Sequence, residues 1–282
     1  ISAQFAPGNS VGAPDKAVTD GFIGKVTLDY KPNDDQMYYA TWSQGFRPGM
    51  LNRPGGRSNA AGNYTVPFAF DTDDVTNMEL GIKSTYLDGR FRFNGAFFFV
   101  DIENLQSTIF DPNIVNLFFS DNAANAEVTG FEGDFIWLPE GIDGLTIAGA
   151  FSRLDTEITE VLLPTSDVRV GDELAFAPGF QGNIRARYEW DFGGDWVAHV
   201  MPSMSWSSES YSDIMIINRD RIDKWWMADI TAGVTSETWS AEMYVSNVTN
   251  ERAEMARNFV FDRTSVHYAR PRTVGLRLGW KF

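Results

Sequence analysis

Apolar and polar residues alternate along most of the chain, one position at a time. Near the C-terminus, for example, Val274, Leu276 and Leu278 alternate with Gly275 and Arg277. Successive side chains of a β-strand point to opposite faces, so this period of two predicts strands with one apolar and one polar face. The pattern predicts eleven strands, at residues 20–31, 36–47, 75–87, 90–107, 121–138, 144–158, 177–190, 195–211, 223–236, 239–249 and 268–282.

Many of these strands exceed the roughly 5–6 residues usual in soluble proteins, and a tilted strand needs about 9–11 residues to cross a bilayer. Bulky aromatic residues lie near strand ends, where membrane barrels carry interfacial girdles. They are Tyr38, Trp42, Trp137, Trp190, Trp196, Trp206, Trp225, Trp226, Trp239 and Trp280. A soluble β-sandwich also alternates, but the aromatic ends favour an all-β, transmembrane antiparallel β-barrel.

The connections between the predicted strands alternate strictly between short and long. The short ones include Asp88-Gly89, a two-residue hairpin signal, because glycine accepts a positive φ. The long ones are residues 48–74, 108–120, 159–176, 212–222 and 250–267. Outer-membrane barrels combine short periplasmic turns with long extracellular loops, so the long connections are predicted to be extracellular.

The odd number of strands indicates an incomplete barrel, because bacterial single-chain barrels usually have an even number. The first and last strands are predicted to run in the same direction, so they cannot close the barrel by antiparallel pairing. We therefore predict that residues 20–282 form the C-terminal half of a plugged barrel of about 22 strands. Residues 1–19 are then the tail of an extracellular loop.

Composition removes several functional classes. The formal net charge is −15, which argues against nucleic acid as a partner. The absence of cysteine removes disulfides and thiol chemistry. His199 and His267 are the only histidines and have no ligand partners at a recognisable spacing. The sequence therefore predicts neither an enzyme nor a bound metal or cofactor.

Five segments resemble motifs of the TonB-dependent outer-membrane receptor family, in the family's order. They are YATWSQGFRPG at residues 39–49, TNMELGIK at 76–83, TGFEGD at 129–134, VSNVTNE at 245–251 and PRTVGLRLGWKF at 271–282. The resemblance covers residues 20–282. It implies an N-terminal plug and first barrel half, an inner-membrane TonB energy-coupling complex, and the outer membrane as location. A C-terminal Phe282 resembles the signal read by the barrel assembly machinery.

The resemblance implies uptake of a scarce ligand, most often a ferric siderophore. A carbohydrate importer with a surface lipoprotein is the alternative within the family, and a passive porin or a structural surface barrel is the alternative outside it. Aromatic and basic residues in two of the long connections, and Arg47 at the end of the strand before the first of them, are the candidate ligand contacts, although packing within the loops would also explain them. They are Arg47, Arg53, Arg57, Tyr64, Phe68, Phe70, Phe118 and Phe119.

Charged residues on the polar strand faces are expected to point into the lumen, towards water or the plug. They are Glu79, Lys83, Arg92, Glu132, Asp134, Arg185, Arg187, Glu242, Arg277 and Lys281. An Arg or Lys at the bilayer midplane on a lipid-facing surface costs about 2–4 kcal/mol, which determines the side on which these residues lie.

Overall fold

The alternating pattern folds into one large antiparallel sheet. The computed structural model describes residue 14, residues 16–52, 55–110, residue 114, and residues 118–260 and 263–281. Its strands are β1 (Lys25–Asn33), β2 (Gln36–Arg47), β3 (Asp73–Tyr86), β4 (Phe91–Ile109), β5 (Phe119–Trp137), β6 (Leu145–Val161), β7 (Phe180–Gly193), β8 (Trp196–Ser207), β9 (Ser210–Tyr211), β10 (Arg221–Ile222), β11 (Trp225–Thr235), β12 (Trp239–Ser246), β13 (Glu254–Val260), β14 (Arg263–Tyr268) and β15 (Thr273–Trp280).

The sheet contains eleven of these strands, each hydrogen-bonded to its neighbour in chain order. The order is β1-β2-β3-β4-β5-β6-β7-β8-β11-β12-β15. β9 pairs with β10 and β13 with β14 in two separate hairpins that belong to long connections. The eleven-stranded all-β sheet confirms the predicted fold class. A short 3-10 turn lies at Ile216–Asn218, and among the described residues no helix is long and apolar enough to cross a membrane.

The two faces of the sheet have opposite chemical character. On the face that we call outer, Leu80 pairs with Phe97, and both side chains are more than half exposed, at 62% and 51%. On the inner face, Lys83 pairs with Asn94, and the Asn94 amide donates to both carboxylate oxygens of Asp134 at 3.1 Å. An exposed apolar face is unfavourable in water and suits lipid, so the inner face is the lumen wall.

β4, β5 and β6 continue beyond the level at which the two faces exchange polarity. On the outer face of β4, Phe97 and Phe99 are followed by Asp101, which pairs with Glu127, and Glu127 pairs with Glu157. The inner face changes in the opposite sense and becomes apolar at Val100, Ile102, Ala126 and Val128. Because charged side chains are costly in hydrocarbon, Phe99 marks the outer boundary of the membrane on β4.

The short connections all lie at one end of the sheet, the turn end, and the long connections lie at the other, the loop end. The connection from β3 to β4 differs from the two-residue hairpin predicted at Asp88-Gly89. Tyr86 pairs with Phe91, so four residues form the turn. Leu87, Asp88 and Gly89 all have positive φ, at 57°, 54° and 86°.

The largest difference from the predicted strands is at the C-terminal end. Residues 268–282 were predicted as one strand, whereas β14 ends at Tyr268 and β15 begins only at Thr273. Pro271 explains this interruption, because proline has no N–H to donate to a strand ladder. β14 pairs with β13, so the predicted loop 250–267 contains a hairpin.

The sheet remains open, as predicted. β1 pairs only with β2 and β15 only with β12 among the described residues. Every residue of β1 is exposed, and so are six of the eight residues of β15. Both edges therefore present unpaired backbone groups, which a barrel wall in lipid must pair with further strands. The predicted loop tail at residues 1–19 falls mostly outside the described residues and stays a prediction.

We expect the loop end to be extracellular and the turn end periplasmic. The 282 residues contain no cysteine, so single introduced thiols report position. Ala61→Cys and Val170→Cys, both at exposed sites of the loop end, should react in intact cells with a maleimide that cannot cross membranes. Asp88→Cys and Glu237→Cys, at the turn end, should react only after the outer membrane is opened. Labelling of the second pair in intact cells would reverse the topology.

Candidate functional site

The long connections at the loop end pack together around a small apolar core, which we call the loop core. It includes Val66 from residues 48–72, Leu163 and Val168 from 162–179, and Ile214 and Met215 from 208–224. These side chains meet the ends of three strands at Ile109, Phe119, Ala123, Ala124 and Ile158. Val66, Ile109, Ile158 and Met215 are fully buried. Much of the loop end is therefore a folded layer resting on the apolar inner face of β4–β6.

Tyr64 and Asp121 form a polar contact at the edge of the loop core. The Tyr64 hydroxyl donates to the Asp121 carboxylate, whose other oxygen accepts from the Asn122 N–H at 2.9 Å. Asp121 is 8% exposed. Burial, followed by the hydrogen bond to this carboxylate, raises the pKa of Tyr64 well above its ordinary value of 10. The phenol is therefore a donor that the fold keeps protonated.

Arg47 lies at the last position of β2, where the chain enters the loop 48–72. Its guanidinium forms an ion pair with Asp73 and donates to the Gln106 carbonyl at 3.1 Å. Asp73 is 4% exposed, whereas the Arg47 side chain is 56% exposed. One edge of the guanidinium holds the loop entry and the remainder stays accessible to solvent.

The aromatic candidates divide into buried and accessible side chains. Phe70 and Phe119 are 8% and 2% exposed, inside the loop packing. Phe68 is 37% exposed and lies across Gly56, whose φ is +81° and where a Cβ would come within 2.6 Å of the ring. Phe118 is partly buried, and its ring packs at a tilt against Phe110, with 4.8 Å between the centroids.

Three predicted site residues remain, and the structure describes one of them, Arg57. Arg57 is exposed near the tip of the loop 48–72, and its carbonyl accepts from the Val66 N–H at 2.9 Å. Arg53 and Phe282 lie outside the described residues, so the ligand role of the first and the assembly role of the second stay predictions.

Sequence reasoning missed a second polar cluster at the loop end. Arg257 of the β13–β14 hairpin forms ion pairs with Glu254 and with Asp220 of the segment 208–224, both at 2.6 Å. These carboxylates raise the pKa of Arg257 further. A cavity of about 140 Å³ lies beside it, between the hairpin, the segment 208–224 and Phe118. Arg257 and Asp220 are 37 positions apart, and no local motif connects them.

The lumen wall carries a broad concave surface near the middle of the sheet. A cavity of about 520 Å³ is lined there by polar residues that include Tyr39, Lys83, Asn94, Glu132 and Asp134. The Tyr39 ring lies directly across Gly81, where a Cβ would be 2.2 Å from the ring. Its hydroxyl donates to Glu79 at 2.5 Å. Glycine at this position therefore allows the aromatic ring to lie flat against the wall.

Closer to the turn end, polar side chains of β8, β12 and β15 form another cluster on the inner face. The Glu242 carboxylate accepts from Arg277 at 2.5 Å and lies 3.4 Å from Nε2 of His199, which is buried. No cluster of three or more metal-binding side chains occurs among the described residues. Of the ten charged residues predicted to face the lumen, Glu242 and Arg277 thus form an ion pair on the inner face.

Comparison with known proteins identifies the class. Residues 3–248 match the model of the TonB dependent receptor-like β-barrel. The chain belongs to this family of transport receptors, and its location is the bacterial outer membrane. The family assignment agrees with the open sheet, its apolar outer face and its polar lumen wall.

Individual relatives are more distant. The chain is 26% identical over 175 residues to the metal-pseudopaline receptor CntO of Pseudomonas aeruginosa, a match that covers 61% of this chain and 22% of that protein. It superposes on the ferric yersiniabactin uptake receptor FyuA of Yersinia pestis with a TM-score of 0.72 and 18% identity, covering 92% of this chain and 37% of that one. For the ferric preacinetobactin receptor BauA of Acinetobacter baumannii, the TM-score is 0.66, the identity 20% and the coverage 92% and 36%.

The chain therefore spans little more than a third of the length of these solved receptors. At such identities the structural matches establish the fold. They show that the eleven-stranded sheet corresponds to part of a larger receptor barrel.

The Tyr64–Asp121 contact predicts that the loop core loses stability at alkaline pH. The pKa of Tyr64 is raised in the folded protein. The stability that its hydrogen bond contributes is therefore fully present below the ordinary pKa of tyrosine, near 10, and falls as pH rises above that value. Tyr64→Phe should cost about 1–3 kcal/mol at neutral pH, because the buried Asp121 carboxylate loses one of the two hydrogen bonds described above. It should also abolish the alkaline loss.

Hydrogen exchange of residues 64–66, followed from neutral pH to about pH 11 with correction for the chemical exchange rate, measures both effects. Tyr268→Phe is the matched control, because it removes the hydroxyl of a half-exposed tyrosine in the β13–β14 hairpin. Equal protection in Tyr64→Phe and the unsubstituted protein at all pH values would contradict the assignment.

Proposed function

We propose that this protein is part of an energy-coupled outer-membrane receptor that imports a metal chelate, with a ferric siderophore as the leading ligand. Membership of the TonB-dependent receptor-like β-barrel family carries the proposal. The relatives described above are receptors for a metal-pseudopaline complex, ferric yersiniabactin and ferric preacinetobactin. The ligands of these relatives favour a chelate over the carbohydrate alternative.

The ligand-facing surface is proposed to lie at the loop end and to include Arg47, Arg57, Phe68 and Phe118. Arg47 and Phe68 have exposed area, and a guanidinium with an aromatic face suits an anionic chelate that carries flat or apolar groups. Tyr64, Phe70 and Phe119 are proposed to shape this surface from within the loop packing, because burial limits direct contact. Arg53 remains a candidate on sequence alone.

The lumen wall is proposed to hold the N-terminal plug. Its acidic residues Glu79, Glu132 and Asp134 outnumber the single nearby Lys83 around Tyr39. This arrangement is suited to basic side chains on the plug surface. The TonB complex would then act on the plug from the periplasm. A surface lipoprotein belongs to the carbohydrate alternative and has no support from the described residues.

Radiolabelled metal uptake tests the proposal. A strain lacking the protein should lose uptake of one of four probes under iron limitation: ferric yersiniabactin, ferric preacinetobactin, ferric citrate or a metal–pseudopaline complex. Restoring the gene should restore uptake only when TonB is present, because transport against a gradient needs energy. Uptake that persists without TonB would indicate a passive porin, and loss of none of the four would contradict the chelate assignment.

Phe68→Ala tests the proposed ligand surface with the same probe. It should weaken chelate binding about tenfold, the effect of losing roughly 1–2 kcal/mol of aromatic contact. Phe176→Ala is the matched control and should leave binding unchanged, because Phe176 is also a partly exposed loop aromatic, at 45%, but lies in the segment 162–179. Equal binding by both variants would remove Phe68 from the proposed surface.

A further inference from the structure

The loop 48–72 is attached to the top of the sheet by three side-chain amides, at three separate places. The Asn52 amide donates to the Ser120 carbonyl at 2.6 Å and accepts from the Ser120 N–H at 2.9 Å. This reciprocal pair reproduces the contacts of a strand neighbour. Asn52 also donates to the carbonyl of Pro67 at 3.1 Å, so it connects the two limbs of its own loop.

Gln106 of β4 holds both ends of the loop. Its amide nitrogen lies within hydrogen-bond distance of the carbonyls of Arg47, Pro48 and Asp71, at 3.1, 3.2 and 2.9 Å. The entry and the exit of the loop are therefore tied to the same side chain. An amide –NH₂ has two hydrogens to share among these acceptors, so small movements of either limb keep at least one bond.

Asn122 of β5 fixes the exit limb of the loop as both a hydrogen-bond donor and an acceptor. Its nitrogen donates to the carbonyls of Asp71 and Asn104 at 3.1 and 2.7 Å, with the Thr72 carbonyl at 3.3 Å. Its oxygen accepts from the Asp71 N–H at 2.8 Å. Asn104 has a positive φ of 57°, so its carbonyl turns towards this amide at a bulge in β4.

The middle of the loop is held by apolar burial. Val66 is fully buried in the loop core, and its N–H donates to the Arg57 carbonyl at 2.9 Å. Besides the Arg47–Asp73 ion pair at the entry and the Tyr64–Asp121 hydrogen bond at the edge of the loop core, the loop is held by uncharged hydrogen bonds on both limbs and by apolar contact between them. These uncharged attachments do not depend on ionic strength in the way that the Arg257–Asp220 ion pair of the neighbouring hairpin does.

We propose that the described parts of the loop, residues 48–52 and 55–72, form a preorganised, fixed wall of the ligand entrance that is in position before ligand binds, and that Asn52, Gln106 and Asn122 set that position. The entrance itself is taken from the proposed function. A wall fixed in advance lowers the ordering cost of binding, since its side chains need not be immobilised by the ligand.

Spin-label distances test this inference without any ligand. Labels at Ala61→Cys on the loop and Glu157→Cys on β6 are measured by pulsed electron resonance, with the receptor in outer-membrane vesicles. The unsubstituted receptor should show one narrow distance population. Asn122→Ala should broaden it on the order of twofold or add a second population, because the exit limb loses its attachment.

Two further variants separate attachment from general damage. Asn125→Ala is the matched control on the same strand, because the Asn125 side chain contacts the Asn104 N–H and Glu160 rather than the loop. It should leave the distance unchanged. Asn122→Asp keeps the shape but replaces the donor with a carboxylate facing three carbonyls, so it should broaden the distance as Asn122→Ala does.

A broad distribution in the unsubstituted receptor would overturn the inference. So would a distribution that stays narrow in both Asn122 variants. The distance measurement uses no chelate, so it would still stand if none of the four probes were taken up. Conversely, a mobile loop would not change the result of the uptake experiment.

Discussion

The structure depends on one constraint: backbone N–H and C=O groups that face hydrocarbon must be paired within the protein. The long antiparallel sheet satisfies this constraint from β2 to β12, where each strand has two neighbours. Its two edges do not. β1 and β15 each have a single partner among the described residues, and both are exposed along most of their length. The described residues therefore form a segment of barrel wall with two open edges, which agrees with receptors in which the chain corresponds to about a third of the length.

The same constraint organises the two faces and the loop end. Where the sheet lies in lipid, its outer face is apolar and its inner face polar. Beyond Phe99 the polarity is exchanged, since the outer face meets water and the inner face supports the loop core. The loops are thus extensions of the wall that have their own apolar core. Arg47 and Phe68 therefore lie on a supported surface with part of each side chain exposed. The packing of Tyr64, Val66 and Phe119 beneath that surface stabilises it.

Sequence alone predicted the sheet well, because alternation is a local signal that each strand carries in its own residues. It predicted all eleven strands of the sheet, the order of short and long connections, and the lack of closure. It failed at strand ends, as at Pro271, and at the β13–β14 hairpin inside a predicted loop. The contacts of the candidate site could not be predicted from the sequence in the same way. The contacts Tyr64–Asp121, Asn52–Ser120 and Arg257–Asp220 join residues 57, 68 and 37 positions apart, and no local pattern encodes such pairs. In the sequence, an aromatic residue in a predicted loop looks the same whether the fold buries it, like Phe119, or leaves it accessible, like Phe68.

The central claim is that the first and last strands do not pair with each other. Oxidative cross-linking in outer membranes tests it, with one cysteine at Thr27 or Asp29 in β1 and one at Gly275 or Arg277 in β15. Ser240→Cys with Gly279→Cys is the positive control, because these positions are paired on β12 and β15. The account predicts a disulfide in the control and none between β1 and β15. Efficient disulfide formation between β1 and β15 of one chain would show a closed eleven-stranded barrel and would contradict it.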